Sequence, residues 1–366
     1  MNCPRADHNL DGIPVTRLES DHLRLDVAPS VGGRVISLVH KPSGHEFLWH
    51  NRALPLRCEP AGSEYDPNFY GGIDELLPND IPELIDGVNC PDHGELWTTP
   101  LAVQSEDRPK LLAQGTPELS PHPRSRLRSP SYGGQAGHPR PLGGGEGRGE
   151  GAIGASGIPE VHAEGERLVL SGDLPRFGLH YERAISLRKD GPRLDLAYRI
   201  TNRASQPRSF LWKLHAALAV QAGDIIDCPA RRAQVVDLAW SRCRTLEPFD
   251  WPILQGQAVN LVPPADGTVD FFYLFDLRAG RMAWRRPGAG LEFAYEFDPQ
   301  VFRFAWLFAS YGGFNRHYTV VLEPCTAMPM SVNEAAAKGQ CSRLEPGQTL
   351  ATRVTLRAGP PAFPVP

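Results

Sequence analysis

Apolar and polar residues alternate with a period of two over much of the chain. Leu23, Leu25 and Val27 alternate with His22, Arg24 and Asp26. Leu194, Leu196, Tyr198 and Ile200 alternate with Arg193, Asp195 and Arg199. This second run follows Ile185-Ser186-Leu187-Arg188-Lys189, with Asp190-Gly191-Pro192 between, so the spacing predicts a hairpin. Further strands are predicted over 301–310 and 350–357. Helical stripes are nearly absent, and only 333–338 predicts a short turn of helix. Many strands joined by short polar turns imply an all-β protein, with two stacked antiparallel sheets or a barrel.

Residues 115–157 break the pattern. Gly, Pro, Ser and Arg dominate there, and large apolar residues almost vanish. Such a segment buries too little surface to offset its ordering entropy, which predicts a disordered insertion. It interrupts the sequence without an obvious closed set of strands on either side. One domain is the expectation and two domains the alternative. The chain has 366 residues and 41% hydrophobic content, enough for one large core or two ordinary ones. A net charge of -4, with both signs dispersed, argues against a nucleic-acid or anionic-membrane partner. No apolar run reaches the length of a membrane span, and Met1 to His8 lacks the apolar core of a signal peptide. Seven cysteines without a CxxC pair read as free thiols of a cytoplasmic protein and give no structural zinc site.

Three polar residues stand where strand patterning expects none. His215 interrupts Phe210-Leu211-Trp212-Lys213-Leu214-His215-Ala216-Ala217-Leu218. Alternation puts Phe210, Trp212, Leu214, Ala216 and Leu218 on one face, and Leu211, Lys213, His215, Ala217 and Ala219 on the other. His215 therefore lies beside small residues that leave room for a ligand, although a satisfied structural histidine fits as well. Glu323 closes Tyr318-Thr319-Val320-Val321-Leu322 and shares a face with Val321 and Thr319. An edge strand would also explain it. His93 sits in the loop Cys90-Pro91-Asp92-His93-Gly94-Glu95-Leu96-Trp97, where either solvation or chemistry is possible. Two imidazoles and a carboxylate suffice for paired proton transfer if the fold unites them.

Other motifs fail on context. Gly149-Glu150-Gly151-Ala152-Ile153-Gly154 spells GxGxxG inside the low-complexity stretch, without the strand and helix a dinucleotide site needs. His45 and His50 are five residues apart, about 140° apart around a helix, against about 40° for the HExxH step. No GxSxG elbow is present.

Taken together, the segments resemble the aldose 1-epimerase (galactose mutarotase-like) superfamily. The stretch from His22 to Trp49 resembles its opening, and Gly71-Gly72-Ile73 with Pro78 resembles a loop of the hexose-6-phosphate mutarotase branch. Asp92-His93-Gly94 with Trp97, Trp212-Lys213-Leu214-His215 and Val320-Val321-Leu322-Glu323-Pro324 resemble its active-site segments, and Leu344-Glu345-Pro346-Gly347 its final turn. The resemblance implies a β-supersandwich with a sugar in a cleft across one sheet, and no cofactor. It implies Glu323 as general base, His215 as general acid and His93 as a hydrogen-bonding partner near the ring oxygen. Asp270 would bind a sugar hydroxyl, and Trp97 or Trp212 would offer an aromatic face; their ordinary readings are a turn aspartate and plain core.

One departure bears on the substrate. The phosphosugar branch has an arginine just before the Gly-Gly-Ile loop, where this chain has Tyr70. Asp74, Glu75, Asn79 and Asp80 follow, which suit neutral hydroxyls or a cation and repel phosphate, or form a solvated acidic loop. The expected partner is thus an unphosphorylated sugar. A non-catalytic carbohydrate-binding protein and a lyase or hydrolase on the same scaffold are the alternatives. The last would be favoured if Glu75 shared a cavity with Glu323 and His215.

Overall fold

The computed structural model describes residues 6–104, 166–239 and 241–361. The stretch 115–157 and its GxGxxG string lie outside the described residues.

A 12-stranded antiparallel sheet forms one layer. From one edge it runs Ala6–Leu10, Ile13–Glu19, Leu23–Ala28, Arg34–His40, Ile73–Leu76, Lys213–Leu218, Tyr318–Cys325, Phe304–Tyr311, Val269–Phe275, Arg232–Val235 and Phe249–Asp250. His45–Glu46 pairs with Arg34–His40 off this path. An eight-stranded sheet forms the second layer, in the order Ile225–Asp227, Arg281–Arg286, Leu291–Phe297, Thr349–Gly359, Arg193–Asn202, Leu179–Leu187, Arg167–Leu174 and Ala102–Val103. Both sheets draw strands from before residue 105 and after residue 165.

The hairpin read from alternation is the pair Leu179–Leu187 and Arg193–Asn202, in register from Leu187↔Leu194 to Leu179↔Asn202. The single α-helix among the described residues is Val332–Ala337, capped by the Ser331 hydroxyl, which accepts from the Glu334 N–H at 3.2 Å. No described helix is long and apolar enough to cross a membrane.

The main core lies between the sheets. Leu25, Leu214, Leu218, Phe272, Leu307 and Leu322 from the larger sheet meet Tyr181, Leu196, Tyr198, Phe293, Tyr295 and Leu356 from the smaller one. Each such side chain, once buried, contributes roughly 1.5–3 kcal/mol. A second, smaller cluster occupies the opposite face of the large sheet: Tyr65, Phe69, Leu76, Trp97, Ala217 and Val321, with Trp49, Phe308 and Phe314 against it. The large sheet is therefore covered on both faces. That is why the strand Lys213–Leu218 is buried at every position, polar residues included.

Candidate active site

The register of the large sheet sets His215 against Glu323. On one side of the strand Lys213–Leu218, His215 pairs with Asp74. On the other, Lys213↔Cys325 and Ala216↔Leu322 place position 215 opposite 323. Glu323 in turn pairs with Trp306, and Trp306 with Tyr273. Directly opposed residues share a face, with Cβ atoms about 4.5–5.5 Å apart. Asp74, His215, Glu323, Trp306 and Tyr273 thus form one row across five strands. Tyr318–Cys325 is an interior strand, so an edge position does not explain Glu323, which is 1% exposed.

Partners lock each member of the row. His215 Nδ1 lies 2.8 Å from Asp74 Oδ1. Asp74 also accepts from the Tyr65 hydroxyl at 2.8 Å and pairs with the Arg34 guanidinium at 2.7 Å. Burial alone would raise the Asp74 pKa, but Arg34, His215 and Tyr65 together hold it down at about 2. An ionised Asp74 accepts only, so His215 Nδ1 carries a hydrogen and Nε2 is the nitrogen left for chemistry. Burial beside Asp74 drives the Tyr65 hydroxyl well above its usual pKa, so Tyr65 is a donor and not a base.

Lys213 supplies a feature that the motif comparison did not single out. Its ammonium lies 2.6 Å from Asp80 Oδ1 and 2.6 Å from Glu323 Oε2, over the Trp306 ring at 4.6 Å. Burial opposes the charge, but the two carboxylates outweigh it and raise the Lys213 pKa. Asp80 correspondingly ionises below its usual range despite burial, chiefly because of Lys213.

His93 completes the group. Its N–H donates to the Asp80 carbonyl at 2.7 Å, its Nδ1 lies 2.8 Å from Asp92 Oδ1, and its ring stacks on Tyr65 at 4.2 Å. The Tyr65 ring meets His215 edge-on at 5.7 Å, so one tyrosine joins the two histidines. His93 has φ of 56° and Gly94 φ of 77°, and a Cβ on Gly94 would collide with the Leu77 carbonyl. Gly94→Ala is therefore expected to displace His93. Burial lowers the His93 pKa, but Asp92 and Asp80 outweigh it and raise it overall. A raised value means the stabilisation is fully present below pH of about 6.5 and fades as pH climbs through the folded pKa. Asp92→Asn should bring the NMR titration midpoint of His93 down; an unchanged midpoint would remove Asp92 as its cause.

Other residues singled out in the sequence lie elsewhere. Glu75, one position from Asp74, points into the core between the sheets. It accepts from Tyr181 at 2.7 Å, Arg183 at 2.8 Å, and Tyr198 and Trp212 at 3.0 Å each. It shares no cavity with Glu323, because neighbours on a strand face opposite ways. Trp212 lies in that same core. Asp270 also sits on the far face: Phe271 and Tyr273 pack on Trp306, while Asp270 pairs with Arg242 at 2.5 Å. Trp97 is buried edge-on to Tyr65 at 5.1 Å, behind the site. Residues 74–80 are not a solvated acidic loop, since Asp74, Glu75, Asn79 and Asp80 are all buried. Leu211, assigned by alternation to the His215 face, belongs to the main core because the strand begins only at Lys213. Sequence reading missed Tyr65, Arg34 and Lys213 as members, and named Asp74 only within an acidic loop suited to hydroxyls or a cation. Lys213 carried a usable signal, a charge inside an apolar strand two positions before His215.

Residues 11–68 match a family model described as a domain of unknown function (DUF5107). Comparison with curated proteins returns no match. Among solved structures, Slr1438 from Synechocystis sp. PCC 6803 aligns with a TM-score of 0.62 at 16% identity, over 98% of this chain and 99% of that one. A galactose mutarotase-like protein from Clostridium acetobutylicum aligns with a TM-score of 0.60 at 13% identity, over 97% and 98%. A galactose mutarotase related enzyme from Lactobacillus acidophilus aligns with a TM-score of 0.56 at 10% identity, over 94% and 97%. Identities this low carry architecture alone, and in architecture this chain has the galactose mutarotase-like fold.

Proposed function

We propose that the protein is an aldose 1-epimerase, interconverting the α and β anomers of an unphosphorylated sugar by acid–base ring opening. The observation that carries this reading is the cross-strand placement of His215 against Glu323, with His93 tied to the same group through Tyr65. Glu323 takes the proton of the anomeric hydroxyl as the C1–ring-oxygen bond breaks, and His215 Nε2–H protonates the ring oxygen. Rotation about C1–C2 presents the other carbonyl face, and both transfers then reverse. His93 donates a hydrogen bond near the ring oxygen.

The site's charge supports a neutral substrate. Glu323, Asp74, Asp80 and Asp92 face two fixed cations, Lys213 and Arg34. Asp66 stands close by, its pKa raised by burial and by Asp92 and Asp80, and lowered by His93. An excess of carboxylates disfavours a phosphate at the reacting ring.

A second reading, sugar binding without turnover, is favoured by one observation. Lys213 holds the Glu323 carboxylate in a buried ion pair, which occupies one of the oxygens that would have to take the substrate's proton. The lyase reading loses its candidate acid, because Glu75 is spent on four interior donors.

A panel of freshly dissolved α-aldoses, followed by polarimetry or NMR anomer exchange, tests the proposal. At least one sugar should equilibrate faster with wild type. Glu323→Gln and His215→Ala should each lose about 10²–10⁴ of the acceleration while remaining folded. Binding without acceleration would replace the first reading with the second.

A further inference from the structure

The two groups that would have to touch a sugar are closed off. His215 is 6% exposed and Glu323 1%. A pyranose reaches them only if part of the protein moves aside, and the rings packed on His215 show which part. Tyr65 and Phe69 each meet the His215 ring in a T-shaped contact at 5.7 Å. Both belong to one excursion of the chain, between the strands His45–Glu46 and Ile73–Leu76.

The ends of this excursion are pinned together. His50 and Gly71 form an antiparallel bridge, the Asn51 N–H donates to the Tyr70 carbonyl at 2.8 Å, and the Gly72 N–H to the Trp49 carbonyl at 2.9 Å. A segment that leaves and returns at one point is an Ω-type loop, free to shift without disturbing the strands that flank it. Leu56, buried against Val15, Val31 and Ile36, fixes its first part. Beyond it, residues 57–69 run over the surface, and Tyr65 and Phe69 are the buried side chains among them.

The segment holds its own shape. Arg57 donates to Asn68 Oδ1 at 3.0 Å, Asn68 Nδ2 to the Glu64 carbonyl at 2.8 Å, and the Asn68 N–H to the Tyr65 carbonyl at 2.9 Å. Its hydrogen bonds to the rest of the described chain are few. The Tyr65 N–H donates to Asp92 Oδ2 and the Tyr65 hydroxyl to Asp74, both at 2.8 Å; the hydroxyl also lies 3.3 Å from His215 Nδ1, and the Cys58 thiol 3.8 Å from the Thr98 carbonyl. A preformed piece tethered by few bonds and two rings opens at lower free-energy cost than the strands around it.

We infer that residues 57–69 form a lid over the candidate active site, hinged between Leu56 and Tyr70, with Tyr65 and Phe69 as its closing surface. Opening withdraws both rings from His215 and admits a ligand; closure keeps water from the acid and the base. The inference deepens the epimerase reading and rests on it only for what enters. The motion itself is tested without sugar.

Hydrogen exchange of the full chain is the first readout. The Tyr65 N–H is bonded to Asp92, whereas the Ala217 N–H donates to the Gly72 carbonyl within the large sheet. Local opening should let the Tyr65 N–H exchange faster than the Ala217 N–H by about tenfold or more. Acylation of His215 by diethyl pyrocarbonate, read by mass spectrometry, is the second, and its rate should follow the exchange at Tyr65. Phe69→Ala removes a closing ring without removing a side-chain hydrogen bond. It should speed His215 acylation by about tenfold while Ala217 exchange changes less. Should circular dichroism show that variant unfolded, Tyr65→Phe, which keeps the ring and loses the Asp74 bond, replaces it with a smaller effect of the same sign. Exchange at Tyr65 and acylation at His215 no faster than Ala217 exchange, or a variant that accelerates all three equally, overturns the lid. Local opening in a protein that accelerates no sugar of the panel keeps the lid and removes the epimerase reading.

Discussion

Lys213→Met should destabilise the protein by about 3–5 kcal/mol, the usual range when one partner of a buried ion pair is removed. The ammonium is the shared counter-ion of Asp80 and Glu323, and all three side chains are at most 5% exposed. Methionine fills the volume but leaves two carboxylates buried together. The pH dependence fixes the cause. In wild type Lys213 depresses the Asp80 pKa against the effect of burial, so this stabilisation is present above about pH 4 and is lost as pH falls through the folded value. In the variant burial is opposed only by the weaker pull of His93 and His215, and the sign at Asp80 is expected to reverse. Asp80 then takes up a proton on folding, and the penalty shrinks on acidification. Denaturant unfolding of both proteins across pH 4–8 measures the gap. A gap below about 1 kcal/mol, or one that stays constant with pH, would show that Lys213 is not their counter-ion. Lys213→Arg keeps the charge and should retain more of the stability than Lys213→Met.

The second large effect is expected one residue from the candidate site and unrelated to it. Glu75→Ala should cost about 3–5 kcal/mol, because Arg183 would be left as an unpaired charge at 2% exposure. Tyr181, Tyr198 and Trp212 would each lose an acceptor in the same dry space. Glu75→Gln should cost less, about 1–3 kcal/mol, since one amide oxygen still accepts while the NH2 faces donors. The readout that separates this from a site effect is the folded fraction. At temperatures where Glu75→Gln is fully folded, its anomer exchange rates should match wild type, whereas Asp74→Asn should alter them. A rate loss in Glu75→Gln without a stability loss would refute the assignment of Glu75 to the core.

Much of the fold was legible because the side-chain period of a strand is local. The alternation through 193–200 fixed a strand, and Asp190-Gly191-Pro192 placed its turn. The same arithmetic put Leu214, Ala216 and Leu218 on one face and Lys213, His215 and Ala217 on the other, as the two apolar clusters show. Sequence reading erred where a residue's environment comes from a distant segment. Residues 74–80 read as possibly solvated because nothing local covers an Asp-Glu pair. Tyr65 and Arg34 cover Asp74 in space, Tyr181 and Arg183 cover Glu75, and Lys213 covers Asp80. Asp74 and Glu75 are alike in type and adjacent in sequence, yet the pleat sends one to His215 and the other to Arg183.

By itself, the amino-acid order determined the strand periods, the turn positions and the presence of His93, His215 and Glu323 as costly groups within apolar surroundings. Only the tertiary structure decided that Asp74 and Glu323 flank His215 from two neighbouring strands, and that Lys213 bridges Asp80 and Glu323. The physical reason is that side-chain period is set by the backbone of one strand, whereas register between strands from opposite ends of the chain is set by long-range pairing and by burial on both faces of the sheet.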